Sequence, residues 1–573
     1  MTESRWCHAA ALLGALAAAA AAGCGERQEE RRAPGGVSSR SAGRTTDRAP
    51  APAGDAITLS ILYGSEKKTW LEQELVAFNQ SGARTRSGRP IVAAGKAMGS
   101  GEAMTAILEG AERPHVFSPA SGAYLTLLDH EWQSRGGHTR PLARPGEPLV
   151  LSPIVIAMWR PMAEALGWPG RPLGWADLLE VGRDPRGWER VGRPEWGAMK
   201  LGHTHPEYSS SGLLSVLAIA YAGAHAQRGL GAADVPKLEP FLAGVEDAIV
   251  HYGKSTGFFA DQMIERGPGY LSAAVLYENL VIESYARRPP MPLVAIYPVE
   301  GTFWADHPYS VLDGDWVDAD ARDAADVLLA FLRARPAQAR AMALGFRPAD
   351  PALAIGAPID AAHGADPKQP QTLLEVPDAA GLEALLAAWR RTKKSADVVF
   401  VFDKSGSMVG RPLEAAKRGA KEFLAALDAR DDVTLMFFDG RVYRPYGPVA
   451  VGQARAELEG RIDGISAGGE TAIYDATHAA YALLESRRRA SAHRIRAVVV
   501  MTDGSDNRSA RSIVALLAEV GGEDRAAAVF TIAYGGAPNR AALQGLAAAG
   551  GGSFSEGDVG SIIQVYRDLA AFF

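Results

Sequence analysis

Cysteine is nearly absent: the 573 residues hold two, Cys7 and Cys24. Both precede the first patterned segment, so no disulfide framework is available and stability must come from packed cores. There is no Cys/His spacing of the zinc kind, no block of basic residues and no repeat of solenoid length. With 60 basic against 66 acidic residues and a formal charge of -6, nothing marks a nucleic-acid binder. No phosphate-binding P-loop is present, and no nucleophile, base and orienting group form a recognisable trio. His203 and His205 come nearest to a base, and as loop histidines without an identified partner they read as surface residues or simple contacts. What is present is ordinary globular composition, 47% apolar and 22% charged, in a chain too long for one core.

Arg5 stands ahead of the apolar stretch "AAALLGALAAAAAAG", which runs up to Cys24. This is the layout of a secretory signal, and "AAGC" at 21–24 resembles a bacterial lipoprotein signal, with Ala21 departing from the leucine usual at that place. The resemblance implies removal of residues 1–23, acylation of Cys24 and a membrane-anchored address that is periplasmic or outward-facing, with Gly25 after the cysteine favouring the outer membrane or an outward face over retention at the inner membrane. An ordinary signal cut nearby would instead leave Cys24 a free thiol. Residues 24–55 are rich in Arg, Gly, Ser, Pro and Ala, cannot bury enough surface to offset their ordering entropy, and read as a tether.

From residue 56 the pattern is strand, small polar loop, helix. Ile57, Leu59 and Ile61 alternate, and Gly64 and Ser65 lead into a helix carrying Trp70, Leu71, Leu75 and Phe78. Ser100 and Gly101, then Ser118 and Ser121, fall at similar strand ends. In open α/β sheets that edge is where ligands bind, and helix N-termini offer unpaired N–H groups there. "YGSEKKTWLEQELVAFN", "GHTHPEYSSSGLLSVLAIAYA", "YPVEGTFWADHPYSVL" and "LGFRP" occur in the order found in two-lobed, type 2 extracellular solute-binding proteins, which residues 56–394 resemble. The resemblance implies a small-molecule solute in a cleft between lobes, with chain crossings near 147–160 and 291–301. It points to Ser65, Ser100, Ser118, Ser209, Ser210, Ser211, Glu300 and Thr302 as cleft residues. Each serine is equally a helix N-cap, worth about 1 kcal/mol without any ligand. Tyr277 and Glu278 read as a helix surface with its packing edge or as residues facing the cleft, and the indoles of 167–196 as an aromatic platform or as packing.

Residues 395–573 form a second β/α alternation, expected to fold as a doubly wound, Rossmann-like sheet. Strands are expected at 397–402, 433–438, 441–446, 495–504 and 526–535, and helices near 411–427 and 473–487, with another closing the chain. Three loops at strand ends supply oxygens: Asp403, Ser405 and Ser407 in "DKSGS", Thr471 in "GGETA", and Asp503 in "MTDGSD". Hydroxyls and carboxylates suit Mg2+, which prefers six oxygens and gives up water reluctantly. Asp439 and Asp506 read as turn residues. The set resembles the von Willebrand factor A domain and its metal-ion-dependent adhesion site. That implies Mg2+ or Mn2+ held by the five residues, and a protein partner whose acidic side chain completes the shell.

The combined expectation is a non-enzymatic, lipid-anchored binding protein of the cell envelope, with a solute-binding body joined to a metal-dependent adhesion module. The rivals are a capture component of an ABC-type uptake system and a hydrolase or chelatase-type subunit. Cys24→Ala is expected to release the protein from membranes; retention in the membrane fraction after a high-salt wash would exclude the lipid anchor.

Overall fold

The structure is a computed structural model that describes residues 56–289, 291–491, 493–522, 525–535 and 538–573. The expected signal, Cys24 and the tether lie outside the described residues. Among the described residues no helix is long and apolar enough to cross a membrane.

The first lobe is built on a five-stranded sheet in the order Ile91–Met98, Ile57–Gly64, Val116–Ser118, Pro308–Val311, Glu147–Pro148. Ile57–Gly64 runs parallel to both its neighbours, with Tyr63 opposite Ser118. The helix Lys68–Gln80 buries Trp70, Leu71, Leu75 and Phe78, the apolar stripe its spacing requires. The second lobe centres on Val150–Trp159, paired antiparallel with Ala273–Tyr277, beyond which lie Leu201–Thr204 and Ile249–Gly253. The helix Ser210–Ala224 is apolar on almost every side and is correspondingly buried from Ser210 to Ala222.

The first crossing between lobes falls at Leu149, between Glu147–Pro148 in one sheet and Val150–Trp159 in the other. The second departs from expectation. Leu293–Ile296 does not cross; it pairs antiparallel with Ile156–Trp159 inside the second lobe. The chain passes over only at Asp306 and His307, between Trp304–Ala305 and Pro308–Val311. A third crossing follows at "GFRP": Phe346 packs in the first-lobe core, while Arg347–Pro348 pairs with the second-lobe strand. There Arg347 forms two hydrogen bonds to Glu278, of 2.8 and 2.6 Å, and both side chains are buried.

The C-terminal domain has a six-stranded sheet in the order Tyr446–Ala450, Asp432–Phe438, Ala396–Asp403, Ile495–Thr502, Ala528–Tyr534, Gly551–Gly557. All neighbours are parallel except the first pair. The edge strand begins at Tyr446 rather than spanning 441–446. Arg441 and Tyr443 are drawn instead into contacts with Asp439, and Val442 makes only an isolated bridge to Phe438.

The helix Ala379–Thr392 joins body to domain without a flexible break. Its Trp389 is buried against His205 and Tyr252 of the second lobe, with ring centroids 4.6 and 5.5 Å away. From the other side Arg430 donates to the carbonyls of Arg390, Arg391 and Lys393, satisfying groups that a helix C-terminus leaves open. Lys254 of the second lobe lies 2.8 Å from Glu102 of the first and 2.6 Å from Asp568 of the C-terminal domain. These contacts hold the domain in one orientation on the body.

Arg347→Met should strand the buried Glu278 carboxylate and destabilise the body by about 3–5 kcal/mol. Adding Glu278→Gln should recover part of that loss, and urea unfolding of both variants measures the difference.

Candidate metal and solute sites

The parallel register of Ala396–Asp403 and Ile495–Thr502 sets Phe402 opposite Met501, so both strands end at the same edge with their acids side by side. Thr502 Oγ1 donates to Asp403 Oδ2 at 2.5 Å and the Ser405 N–H donates to Oδ1 at 2.7 Å, which fixes that carboxylate. Ser405 Oγ and Ser407 Oγ are 3.1 Å apart, and Ser407 Oγ donates to Asp503 Oδ1 at 2.6 Å. The third loop is zipped onto the first: Gly406 N–H donates to the Gly469 carbonyl and Gly468 N–H to that of Lys404. Gly469 takes φ +90°, a conformation that glycine adopts without strain. Thr471 N–H donates to Asn507 Oδ1 at 2.8 Å, and the Asn507 N–H returns to the Thr471 carbonyl. Gly504 sits at the centre. A Cβ there would stand 3.2 Å from Thr471 Oγ1 and 3.6 Å from Ser407 Oγ, so the glycine lets three loops meet.

Asp403, Ser405, Thr471 and Asp503 are buried and Ser407 is exposed, so the group opens outward through Ser407. Burial pushes the Asp403 carboxyl up to about 6 and raises that of Asp503. The nearest lysine does not relieve them. Lys404 turns away to Asp439, 2.6 Å from it, and lies over the Tyr443 ring at 4.4 Å. The donors fit a hard divalent cation. Oxygens in adjacent positions around Mg2+, each bonded at about 2.1 Å, stand about 3 Å apart, close to the separation of the two serine hydroxyls. Among the described residues no three His, Cys, Asp or Glu side chains are grouped to hold a metal; this set offers three hydroxyls and two acids. Asp506 accepts from Ser509 three residues on, in keeping with the turn role expected, and also from the Tyr474 N–H at the start of the helix Ile473–Ser486, a contact that was not expected. Thr502 and Asn507, which orient Asp403 and Thr471, are the residues that sequence reasoning passed over. "MTDGSDN" contains both.

The cleft residues divide. Ser65 Oγ accepts from the Gly257 N–H across the lobes at 3.3 Å, at the start of the helix Thr256–Arg266. Ser100 Oγ accepts from the Ala120 N–H within the first lobe. Ser209 and Ser211 hydroxyls lie 3.0 and 2.8 Å from Thr256 Oγ1, while Ser118 Oγ and Ser210 Oγ are buried without a partner. Glu300 is spent elsewhere, accepting from the Trp175 N–H at 3.0 Å at the start of the helix Trp175–Gly182. Thr302 Oγ1 donates to the Ile154 carbonyl at 2.6 Å, an ordinary strand contact. Trp175 and Trp188 are wholly buried, which makes these two indoles packing. His203 corrects the expectation of a surface histidine: it lies on Leu201–Thr204, fully buried, its Nε2 3.1 Å from Glu246, which lies 43 residues further along the chain.

Sequence reasoning missed the charged cluster at the lobe seam. Lys67, fully buried, donates to Glu66 Oε1 at 2.8 Å and to the carbonyls of Ser118 and Pro119 at 3.1 and 3.2 Å, with His307 Nδ1 3.2 Å from the same Glu66 oxygen. These neighbours hold the Glu66 carboxyl at about 2 despite its burial. Beside them a cavity of about 350 Å³ opens between the lobes, lined by Ser65, Glu66 and Thr69 on one side and Phe258, Glu283 and Arg287 on the other.

The family model of bacterial extracellular solute-binding proteins matches residues 59–347, and that of the von Willebrand factor type A domain residues 397–567. Inter-alpha-trypsin inhibitor heavy chain H4 of Sus scrofa is 32% identical over 111 residues, 19% of this chain and 12% of that protein. The chain thus spans 12% of the length of that curated relative. A periplasmic thiamin binding protein aligns at 13% identity over 60% of this chain and 98% of its own, with a TM-score of 0.42. A von Willebrand factor type A structure from Catenulispora acidiphila aligns at 19% identity over 31% of this chain and 42% of its own, with a TM-score of 0.28.

Without metal, Asp403 binds its proton more tightly folded than unfolded, near 6 against 3.8. The group therefore adds stability at low pH that is lost as pH rises through about 6, by about 3 kcal/mol for a shift of this size. Chelator-treated protein compared with Asp403→Asn between pH 4 and 7 should show that difference. Divalent-metal affinity of the unaltered protein should weaken below about pH 6 as protons compete.

Proposed function

As this chain belongs to the bacterial extracellular solute-binding proteins and carries a von Willebrand factor type A domain behind that body, we propose that it is a lipid-anchored binding protein of the cell envelope. In this reading it recognises a small solute between its lobes and an acidic protein partner at a divalent cation. Both domains are of kinds that are typically non-enzymatic. Solute-binding proteins of this family are periplasmic or extracellular. Acylated Cys24, followed by the segment 24–55, would supply the anchor and a reach of tens of ångströms.

The observation that carries the proposal is the meeting of Asp403, Ser405, Ser407, Thr471 and Asp503 around Gly504. Mg2+ or Mn2+ would be held by the three hydroxyls, with the two acids acting mainly through water, and would supply a positive charge that neutral donors leave unquenched. The chain's own contribution is positioning. Thr502 and the Ser405 N–H fix both oxygens of Asp403, Asp503 takes the proton end of the Ser407 hydroxyl, and Asn507 clamps the Thr471 backbone. Ser407, exposed, lies on the side from which a partner carboxylate arrives.

Titration calorimetry with Mn2+ and then with an acidic peptide tests this. Asp403→Ala and Asp503→Ala should each abolish metal binding, and with it peptide capture, while leaving the circular dichroism spectrum unchanged. Peptide capture that survives both EDTA and Asp403→Ala in folded protein would refute the metal-dependent reading.

A further inference from the structure

Four buried polar atoms at the seam between the lobes have no hydrogen-bond partner: Ser118 Oγ, Ser210 Oγ, the Tyr277 hydroxyl and His307 Nε2. They come from both lobes and from the chain crossing between them. The Tyr277 and His307 rings are 5.5 Å apart, the Tyr277 hydroxyl neighbours Ser210 and Thr256, and the Ser118 carbonyl holds Lys67 beside His307. An unmet buried donor or acceptor costs about 1–3 kcal/mol. The Ser210 and Tyr277 hydroxyls lie near enough to answer one another in part, which leaves Ser118 Oγ and His307 Nε2 as the demand that the protein itself does not supply. Ser210 also opens the 15-residue helix Ser210–Ala224.

The seam's protons can be counted. The Lys67 ammonium has three, and three oxygens take them: Glu66 Oε1, the Ser118 carbonyl and the Pro119 carbonyl, at 2.8, 3.1 and 3.2 Å. None remains for His307 Nδ1, 3.4 Å away. That nitrogen lies 3.2 Å from Glu66 Oε1, so it is the donor there and carries the ring proton. Burial, together with the charge of Lys67, lowers the pKa of His307 and keeps the ring neutral. Nε2 is then a bare lone pair. Around it the charges of Glu66 and Lys67 cancel, and Asp306, next in the chain and acting on both Lys67 and His307, adds a carboxylate.

We infer that this seam seats the solute and selects a small molecule bearing O–H or N–H donors, rejecting an oxyanion that can only accept. The inference rests on the solute-binding reading of the body and adds the chemistry of the ligand. His307 Nε2 receives a donor, and the hydroxyls of Tyr277, Ser210 and Ser118, each able to donate or accept, complete its contacts. An acceptor-only anion would instead meet a lone pair that has no proton to offer it. Glu66 lines both this seam and the 350 Å³ cavity, which places the seat beside an opening.

Thermal shift and calorimetry on the full chain separate the outcomes, using myo-inositol as a neutral hydroxyl donor, putrescine as a cationic N–H donor, and sulfate and molybdate as acceptor-only anions. Saturable binding is expected from a donor probe and none from the anions at millimolar concentration. Tyr277→Phe, which keeps the ring, should weaken donor binding at least tenfold, and Ser210→Ala should do the same if Tyr277→Phe fails to fold. Saturable binding of sulfate or molybdate, lost in Ser210→Ala, would overturn the ligand class while leaving a solute site in place. Donor binding untouched by both variants would move the seat elsewhere and equally overturn the inference. Binding by none of the four would count against the solute-binding reading itself, and this inference with it.

Discussion

A charge removed from water must find its partner inside the protein, and two of the points where this chain changes lobe are places where it does so. Arg347 meets Glu278 at the third crossing, and Glu66, Lys67 and His307 meet at the second. Replacing such pairs with apolar side chains often costs nothing, while removing one partner costs several kcal/mol. Their worth therefore lies in specifying which segment stands opposite which. With no cysteine among the described residues, the body has no covalent staple to do this. The Arg347–Glu278 ion pair, together with the hydrogen bonds of Lys67 to the Ser118 and Pro119 carbonyls and of His307 to Glu66, defines its seams instead.

The cation loops break the same rule. Asp403 and Asp503 are buried with hydroxyl and N–H donors but no positive side chain, and the lysine between Asp403 and Ser405 is held away by Asp439 and Tyr443. Their raised pKa values express that imbalance. A lysine in place would satisfy the acids and end the need for a metal. The sheet edge thus keeps an electrostatic deficit that a divalent ion would relieve, and a local cost of this kind is common at functional sites.

Much of this was legible before the structure. The α/β class and the two architectures follow from strand, loop and helix alternation, and "DKSGS", "GGETA" and "MTDGSD" each sit where a strand end or helix start is visible locally. Contacts made across long separations were not legible. His203 is buried because Glu246 and Tyr252 arrive 43 and 49 residues later to serve it, and no local pattern announces them. Leu293–Ile296 looked like a crossing because an apolar run leading into Tyr297 and Pro298 reads equally as hinge or strand; its pairing with Ile156 decides. Serines before helices were ambiguous for a physical reason, since capping and ligand binding use the same oxygen. Ser65 and Ser100 accept backbone N–H groups, whereas Ser118 and Ser210 are left with none.

Lys254 has one positive charge and two creditors, Glu102 on the first lobe and Asp568 on the helix Ile562–Ala570. Any hinge motion that parts the lobes has to lengthen the first of these pairs or carry the lysine away from the second. The same helix sets Tyr566 against Phe400 and Phe423, ring centroids 5.6 and 6.0 Å away, and Phe400 lies three residues before Asp403 on one strand. An unbroken series of contacts therefore runs from the rim of the cleft to the first carboxylate of the cation loop. The two recognition surfaces are mechanically in series, so neither can be displaced as though the other belonged to a separate molecule.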